Sequence, residues 1–340
     1  MSMLLRLAIA LATVALLSSP LRAETFRFQQ WLPPQHPIVT RTLMPWIADV
    51  EAATEGRVQI QYLPAPLGPP PAQFDMVRDG VVDFALSVHG FTPARFTLPT
   101  VAELPFSAFD SEALSVALWR TYEQYFAAAG EHEGVQLLSM WSTKPGHVWT
   151  REVAVDISGA FQGLKLMGGN SINVAIAEAL GAVPVQAPPS QTYELLQRGI
   201  VDGAFLDHSS YKDFNLGPFL KHVTQFERGL YAGTLYLMVN PAAWERISPE
   251  DRAAIMELSG EALARRAGAN WDAAAAESIA LMQADGISVV TPDAAMVAYL
   301  RDKLAFLEAD WVARAGERGI DGAAARAFLL EQVSAVAAGQ

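Results

Sequence analysis

The spacing of hydrophobic and polar residues changes along the chain from a period of two to a period near 3.6 and back. Phe26 and Phe28 flank Arg27, which predicts an opening strand, and Trp31 to Pro37 breaks it as a loop. Leu43, Trp46, Ile47 and Val50 then recur at helical spacing over Thr40–Thr54, and Gly56 ends the helix. Val58 to Tyr62 alternates as a strand. Five prolines stiffen the loop from Pro64 to Pro71, a helix is predicted over Ala72–Asp79, and Val81 to Val88 reads as a buried strand interrupted by Asp83. A second cycle comes later in the chain. It comprises a strand over Gly163–Met167, a helix over Asn173–Leu180 stopped by Gly181, and a strand over Val183–Val185. A helix capped by Ser190 then runs to Arg198, and a strand covers Ile200–Leu206.

The two cycles share a local echo. Arg78-Asp79-Gly80-Val81-Val82-Asp83 resembles Arg198-Gly199-Ile200-Val201-Asp202, a helix end, a glycine and a strand bearing an aspartate. Both halves alternate strand and helix, which argues for two α/β lobes. Leu235–Val239 adds a strand. Ser248-Pro249-Glu250-Asp251 is a strong helix start, with a cap, a proline at the first position and acids in the first turn. The pattern continues to Asp285, long enough to span ~55 Å at 1.5 Å per residue. It either crosses both lobes or bends at Gly260 or Gly268. Gly286–Val290 reads as a strand, and Ala294–Ala315 and Ala323–Ala337 read as helices.

The first residues call for a different reading. Arg6 precedes an uncharged apolar run from Leu7 to Leu17, and Leu21-Arg22-Ala23 precedes Glu24. This is the pattern of a secretory signal peptide over residues 1–23, and the run is too short to span a bilayer. The remainder is expected to be soluble and exported to the periplasm. Composition agrees: 51% of the 340 residues are hydrophobic and 18% charged, the balance of a folded chain. The net charge of −12 becomes −14 once Arg6 and Arg22 are removed, a poor basis for nucleic-acid binding. The absence of cysteine excludes disulfides, thiolate metal sites and a cysteine nucleophile.

Catalytic patterns are missing. There is no Gly-x-Ser-x-Gly elbow, and His132-Glu133 lacks the second histidine of a zinc helix. The six histidines are dispersed, and Gly159 to Lys165 lacks the Ser/Thr of a phosphate-cradling loop. No cofactor or metal is called for. A two-lobed α/β chain without catalytic residues is by default a binding protein that closes on a small solute.

Four segments carry a more specific resemblance. They are Glu55-Gly56-Arg57-Val58 leading to Leu67-Gly68; Glu103-Leu104-Pro105-Phe106; Gly163-Leu164-Lys165-Leu166 through Leu180-Gly181-Ala182-Val183-Pro184-Val185; and Tyr193 through Gly203. In this order and spacing they resemble the DctP-type solute receptors of TRAP (tripartite ATP-independent periplasmic) transporters, over nearly the whole exported chain. The resemblance implies a Venus-flytrap fold with two α/β lobes, two crossing strands and a long helix bridging both. The expected division is 24–146 plus about 236–265 for lobe I and 147–235 plus about 266–340 for lobe II. It also implies delivery of a small solute to TRAP permease membrane subunits, driven by an ion gradient. An exported enzyme or a signalling receptor on the same fold is the alternative.

The resemblance also implies where the site lies, and there the chain departs from the family. The arginine that usually holds a substrate carboxylate is replaced by Met167, and a second arginine position by His147. A common asparagine is Leu206 and a common glutamate is Gln191, while Asn170 keeps a polar family position. Trp31, Phe91, Trp141, Trp149 and Phe205 suggest an aromatic pocket, with Glu103, Asp207 and His89 as nearby polar candidates. Two ligand classes are compatible with these residues. One is an atypical carboxylate, aromatic or apolar, held by His147 with Arg95 or Arg151. The other is a neutral or cationic solute stacked on the aromatics with Glu103 or Asp207 as partner.

Overall fold

The computed structural model describes residues 23–156 and 159–339; the apolar run read as a signal peptide lies outside them. The strands are β1 Glu24–Gln29, β2 Val58–Tyr62, β3 Phe84–Val88, β4 Gln136–Ser142, β5 His147–Thr150, β6 Lys165–Gly168, β7 Val183–Gln186, β8 Gly203–Leu206, β9 His222–Thr224, β10 Thr234–Val239 and β11 Ser288–Val290. They form two sheets, one ordered β2-β1-β3-β10-β4 and the other β11-β9-β5-β8-β6-β7.

Each sheet is built on the same frame. In the first, β1 lies parallel to and between β2 and β3, and β10 runs antiparallel beside β3. In the second, β6 lies parallel to and between β7 and β8, and β5 runs antiparallel beside β8. The sequence echo is part of this frame. Asp83 Oδ2 accepts the Arg27 N–H of β1 at 2.7 Å, and Asp202 Oδ2 accepts the Lys165 N–H of β6 at 2.8 Å. The glycines three residues earlier, Gly80 and Gly199, have φ of +72° and +63°, the left-handed turn that reverses helix into strand.

The chain passes from one sheet to the other between β4 and β5, and returns between β9 and β10. The two crossings hold each other, with Thr143 N–H to Gly233 O at 2.8 Å and Gly146 N–H to Tyr231 O at 2.7 Å. The predicted long helix is two helices, Pro249–Glu257 and Gly260–Ala284, broken at Leu258-Ser259 ahead of Gly260 with φ +50°. Gly268 does not bend it. A Cβ there would lie 2.5 Å from Glu112 Cα, so this glycine lets the helix pack onto Ser111–Thr121. The far end of Gly260–Ala284 packs on His208–Asp213, so the helix bridges both lobes.

Several expectations are corrected. Ser190 caps nothing: it is inside a 3-10 turn, Pro189–Gln191, and Gln191 precedes the helix Thr192–Gln197. Two strands are shorter than their apolar runs. β3 starts after Asp83 and β8 after Asp202, because both aspartates spend their side chains bracketing the neighbouring strand. The closing helix Gly322–Ala337 packs on Ser111–Thr121, on the first lobe's side, not with the second lobe as expected. Its apolar positions Ala325, Leu329 and Val333 recur every four residues and need a helical partner face. The helix Ser111–Thr121 and the strands β4, β5 and β9 do not figure in the sequence reading. Their near-continuous burial gives no alternation to read.

Candidate solute-binding cavity

A cavity of about 80 Å³ lies between the lobes, where the C-terminal ends of the parallel strands face each other. The segment after β1 supplies Trp31, Leu32 and His36, and the end of β3 supplies Val88 and Phe91. Met167, Asn170 and Asn173 come from β6 and the helix Ser171–Ala179 after it. Phe205 and Leu206 end β8, and Asp207, Ser210 and Phe214 belong to the short helix His208–Asp213 and its two caps. The crossing segments add Thr143, Tyr231 and Gly233, and the bridging helix adds Trp271. Trp31 and Phe91 meet edge to face at 5.2 Å, and His36 and Trp271 at 6.0 Å.

Seven sequence candidates thus line the cavity: Trp31, Phe91, Met167, Asn170, Phe205, Leu206 and Asp207. Six do not. Gln191 is exposed on its 3-10 turn. Trp141 is buried in β4 within the first lobe's core. Trp149 stacks on Tyr211 and donates its indole N–H to Leu206 O at 3.0 Å. His147 accepts from Phe226 N–H at 3.2 Å, and burial, helped by His208 and Lys144, keeps it well below ordinary histidine basicity. It is therefore neutral and cannot stand in for an arginine. Nor can the arginines offered beside it. Arg95 lies over the Phe74 ring and Arg151 donates to Leu196 O, both away from the cavity. Among the described residues, no lysine or arginine lines it.

Glu103 and His89 lie one layer behind the wall. Glu103 Oε2 accepts from Asn170 Nδ2 at 3.0 Å, and Oε1 accepts Thr234 Oγ1 at 2.6 Å and Thr234 N–H at 3.1 Å. His89 Nδ1 is 3.0 Å from the same Thr234 hydroxyl, and its Nε2 is 3.1 Å from His132 Nε2. Burial keeps both rings neutral, His132 at about 3. Once Thr234 donates to Glu103, the polarity of the chain is set: His132 donates to His89 and His89 to Thr234. Burial lifts Glu103 to about 7, and the two Thr234 bonds oppose that rise. Asn170 is fully engaged, since its Oδ1 accepts Asn173 N–H while Nδ2 also reaches Ala232 O. It joins the second lobe to Glu103 of the first and to the crossing segment.

Asp207 is equally occupied. Oδ1 accepts from Ser209 Oγ at 2.7 Å and Ser210 N–H at 3.1 Å, and Oδ2 accepts the Trp271 indole N–H at 3.0 Å. His36 accepts from Ile38 N–H through Nδ1 at 3.2 Å, so its proton is on Nε2. Burial drops it to about 4, so the 3.7 Å approach to Asp213 is between a neutral ring and a carboxyl itself raised to about 7. Two lining residues carry donors with no partner among the described residues: the Trp31 indole N–H and Asn173 Nδ2 are both buried and unbonded. The Asn173 amide orientation is set by its oxygen, which accepts Gly169 N–H at 3.1 Å.

The profile of the bacterial extracellular solute-binding proteins of family 7, DctP, matches residues 28–311. The chain belongs to this family. This DctP-family receptor is 30% identical over 328 residues to the outer membrane transporter protein TsaT of Comamonas testosteroni, covering 96% of both chains. Among solved structures it resembles a TRAP periplasmic solute-binding protein of Bordetella bronchiseptica with bound (R)- and (S)-mandelate. The identity is 37% and the TM-score 0.90, over 92% of this chain and 99% of that one. A marine-metagenome TRAP protein specific for aromatic acid ligands, in complex with 3-hydroxybenzoate, is 29% identical with a TM-score of 0.86, over 92% and 98%. The receptor therefore has the two-lobed fold and the solute-capturing function of TRAP transport, and the family works with membrane permeases. At family level these are receptors and not enzymes. No helix among the described residues is long and apolar enough to cross a membrane.

The missed lining residues have a common cause. His36, Tyr231 and Trp271 enter from a loop, a crossing and the bridging helix, with no motif to mark them. The one readable signal was Trp271, a large aromatic in an otherwise alanine-rich helix.

Proposed function

We propose that this receptor captures an aromatic monocarboxylic acid in the periplasm and hands it to a TRAP permease. The observation that carries the reading is the pair of unsatisfied donors, Trp31 N–H and Asn173 Nδ2, in a cavity with no cationic side chain. A buried donor without an acceptor costs about 1–3 kcal/mol, so the complementary ligand brings acceptors. A carboxylate held by several neutral donors keeps its charge without an arginine. Asn173 is in the first turn of the Ser171–Ala179 helix, whose dipole favours an anion there. Trp31, Phe91, Phe205, Met167 and Trp271 give the ring its walls. Burying roughly 150 Å² of ring surface contributes about 4 kcal/mol. A cationic ligand is less well served, because every oxygen of Asp207 and Glu103 already accepts from a donor and Glu103 lies behind the wall. That the similar structures hold mandelate and 3-hydroxybenzoate supports the same reading.

Calorimetric titration of residues 24–340 with benzoate, mandelate, benzyl alcohol and benzylamine tests it. The acids should bind most tightly and benzylamine not at all. Trp31→Phe, which keeps a ring and removes the donor, should weaken the acids about tenfold and benzyl alcohol less. Tighter binding of benzylamine than of benzoate overturns the proposal.

A further inference from the structure

A second cavity, of about 410 Å³, lies away from the solute site, between the Leu104-Pro105-Phe106 segment and the two C-terminal helices Ala294–Glu317 and Gly322–Ala337. Three arginines converge on it, Arg228, Arg301 and Arg326, against a single carboxylate, Glu308. In a chain of net charge −12, this local excess of positive charge runs against the average. Its apolar floor includes Leu104, Leu304 and Leu330.

The arginines are positioned by contacts that leave donors over. Arg326 is buried and bonds Glu308 Oε2 through Nε at 3.0 Å, while Nη1 reaches Ser107 Oγ at 3.0 Å and Val101 O at 3.3 Å. Its Nη2 has no protein acceptor among the described residues. Arg228 lies over the Phe109 ring at 4.7 Å and gives Nη2 to Ser107 O at 3.3 Å, but its Nε is buried without a partner among the described residues. Arg301 lies over the Phe106 ring at 4.4 Å. A guanidinium stacked on a ring keeps its N–H edge free for in-plane oxygen acceptors. Phe106 itself is held at φ +60°, costly for an aromatic residue, with its N–H bonded to Gly229 O at 3.1 Å. The backbone thus places the ring that supports Arg301.

We propose that this cleft is a second binding site, for a doubly charged oxyanion group, inorganic or borne by a small organic acid. Three guanidinium groups against one carboxylate leave two positive charges to be matched, and the free Nε of Arg228 and Nη2 of Arg326 are donors awaiting acceptors. The apolar floor accommodates an organic body without requiring one.

Calorimetric titration at constant ionic strength tests the site, with phosphate and malonate as the inorganic and organic probes and chloride as control. Saturable binding of at least one dianion is expected, weakened about tenfold in Arg301→Ala and in Arg228→Ala. Binding of phosphate points to an inorganic source, and binding of malonate alone to an organic acid. Benzoate titration should be unchanged in Arg301→Ala, so loss of this site is distinguishable from failure of the solute assignment. General stabilisation by phosphate as a salt survives in both variants and is not counted. No saturable binding of either dianion, or equal affinity in wild type and both variants, overturns the proposal.

Discussion

The two lobes share a frame and differ in what they hang on it. Each has a central parallel strand between two others, an antiparallel strand donated by a crossing, and a Gly-x-x-Asp turn whose carboxylate bonds an amide of the central strand. Past the strand ends the likeness stops. The first lobe offers Trp31 and Phe91, and its carboxylate Glu103 is withdrawn behind the wall, where Asn170 of the other lobe reaches it. The second lobe offers Met167, Asn173 and Asp207, and the carboxylate that lines the cavity is tied to Trp271 of the bridging helix. Shared frames tolerate this divergence because hydrogen-bonded strands carry stability while the loops beyond them carry recognition. In both lobes the buried carboxylate acts as an acceptor that joins separate elements.

The largest effect expected from disturbing this comparison is at Met167, which is fully buried and packs with Trp149, Ala204 and Leu206. Met167→Arg should cost about 3–5 kcal/mol in the solute-free protein, because the charge has no partner. Thermal unfolding reads this as a drop of several degrees or more. Saturating benzoate should recover part of it if the carboxylate lies near that position, and a variant as stable as wild type would show that Met167 opens to water.

The next effect is the pH dependence. Five buried histidines, His36, His89, His132, His147 and His208, have lowered basicity, His36 and His208 to about 4, so their neutral burial contributes stability that is full above pH 6.5 and is lost progressively as pH falls below it. Four carboxyls act oppositely: Glu103 and Asp213 are raised to about 7 and Asp207 and Glu131 are raised by burial as well, so their contribution is intact below about 4 and declines as pH rises towards 7. Five histidines against four carboxyls leave a small net gain, and stability should climb by about 1–3 kcal/mol between pH 4.5 and 6.5 and then level or dip slightly towards 7. Glu103→Gln should remove part of the decline near neutrality, measured as the unfolding midpoint against pH. A monotonic fall from pH 4.5 upwards would refute the assignment.

The smallest effect tests the shared turn. Asp83→Ala and Asp202→Ala each leave one strand amide without its side-chain acceptor, and each should cost roughly 1–2 kcal/mol in chemical denaturation. Unequal costs differing by more than about 1 kcal/mol would mean that the turns are alike in shape but not in load; Arg246 also approaches Asp83, at 3.5 Å, and would be the reason.

The sequence by itself determined the alternation of strand and helix, the repeated Gly-x-x-Asp turn, the helix start at Ser248 and, through its motifs, the family. These features depend on periodicity, caps and turn chemistry, which act between residues near in sequence. Only the tertiary structure decided which aromatics face the cavity. Trp31 and Trp141 look equivalent along the chain, but one ends at the cleft and the other fills a core. It also decided that His147 is a neutral acceptor, that every oxygen of Glu103 and Asp207 already accepts from a donor, and that two donors have no partner among the described residues. Hydrogen-bond satisfaction and burial depend on residues tens to hundreds of positions away, brought together by crossings and a bridging helix with no local signature.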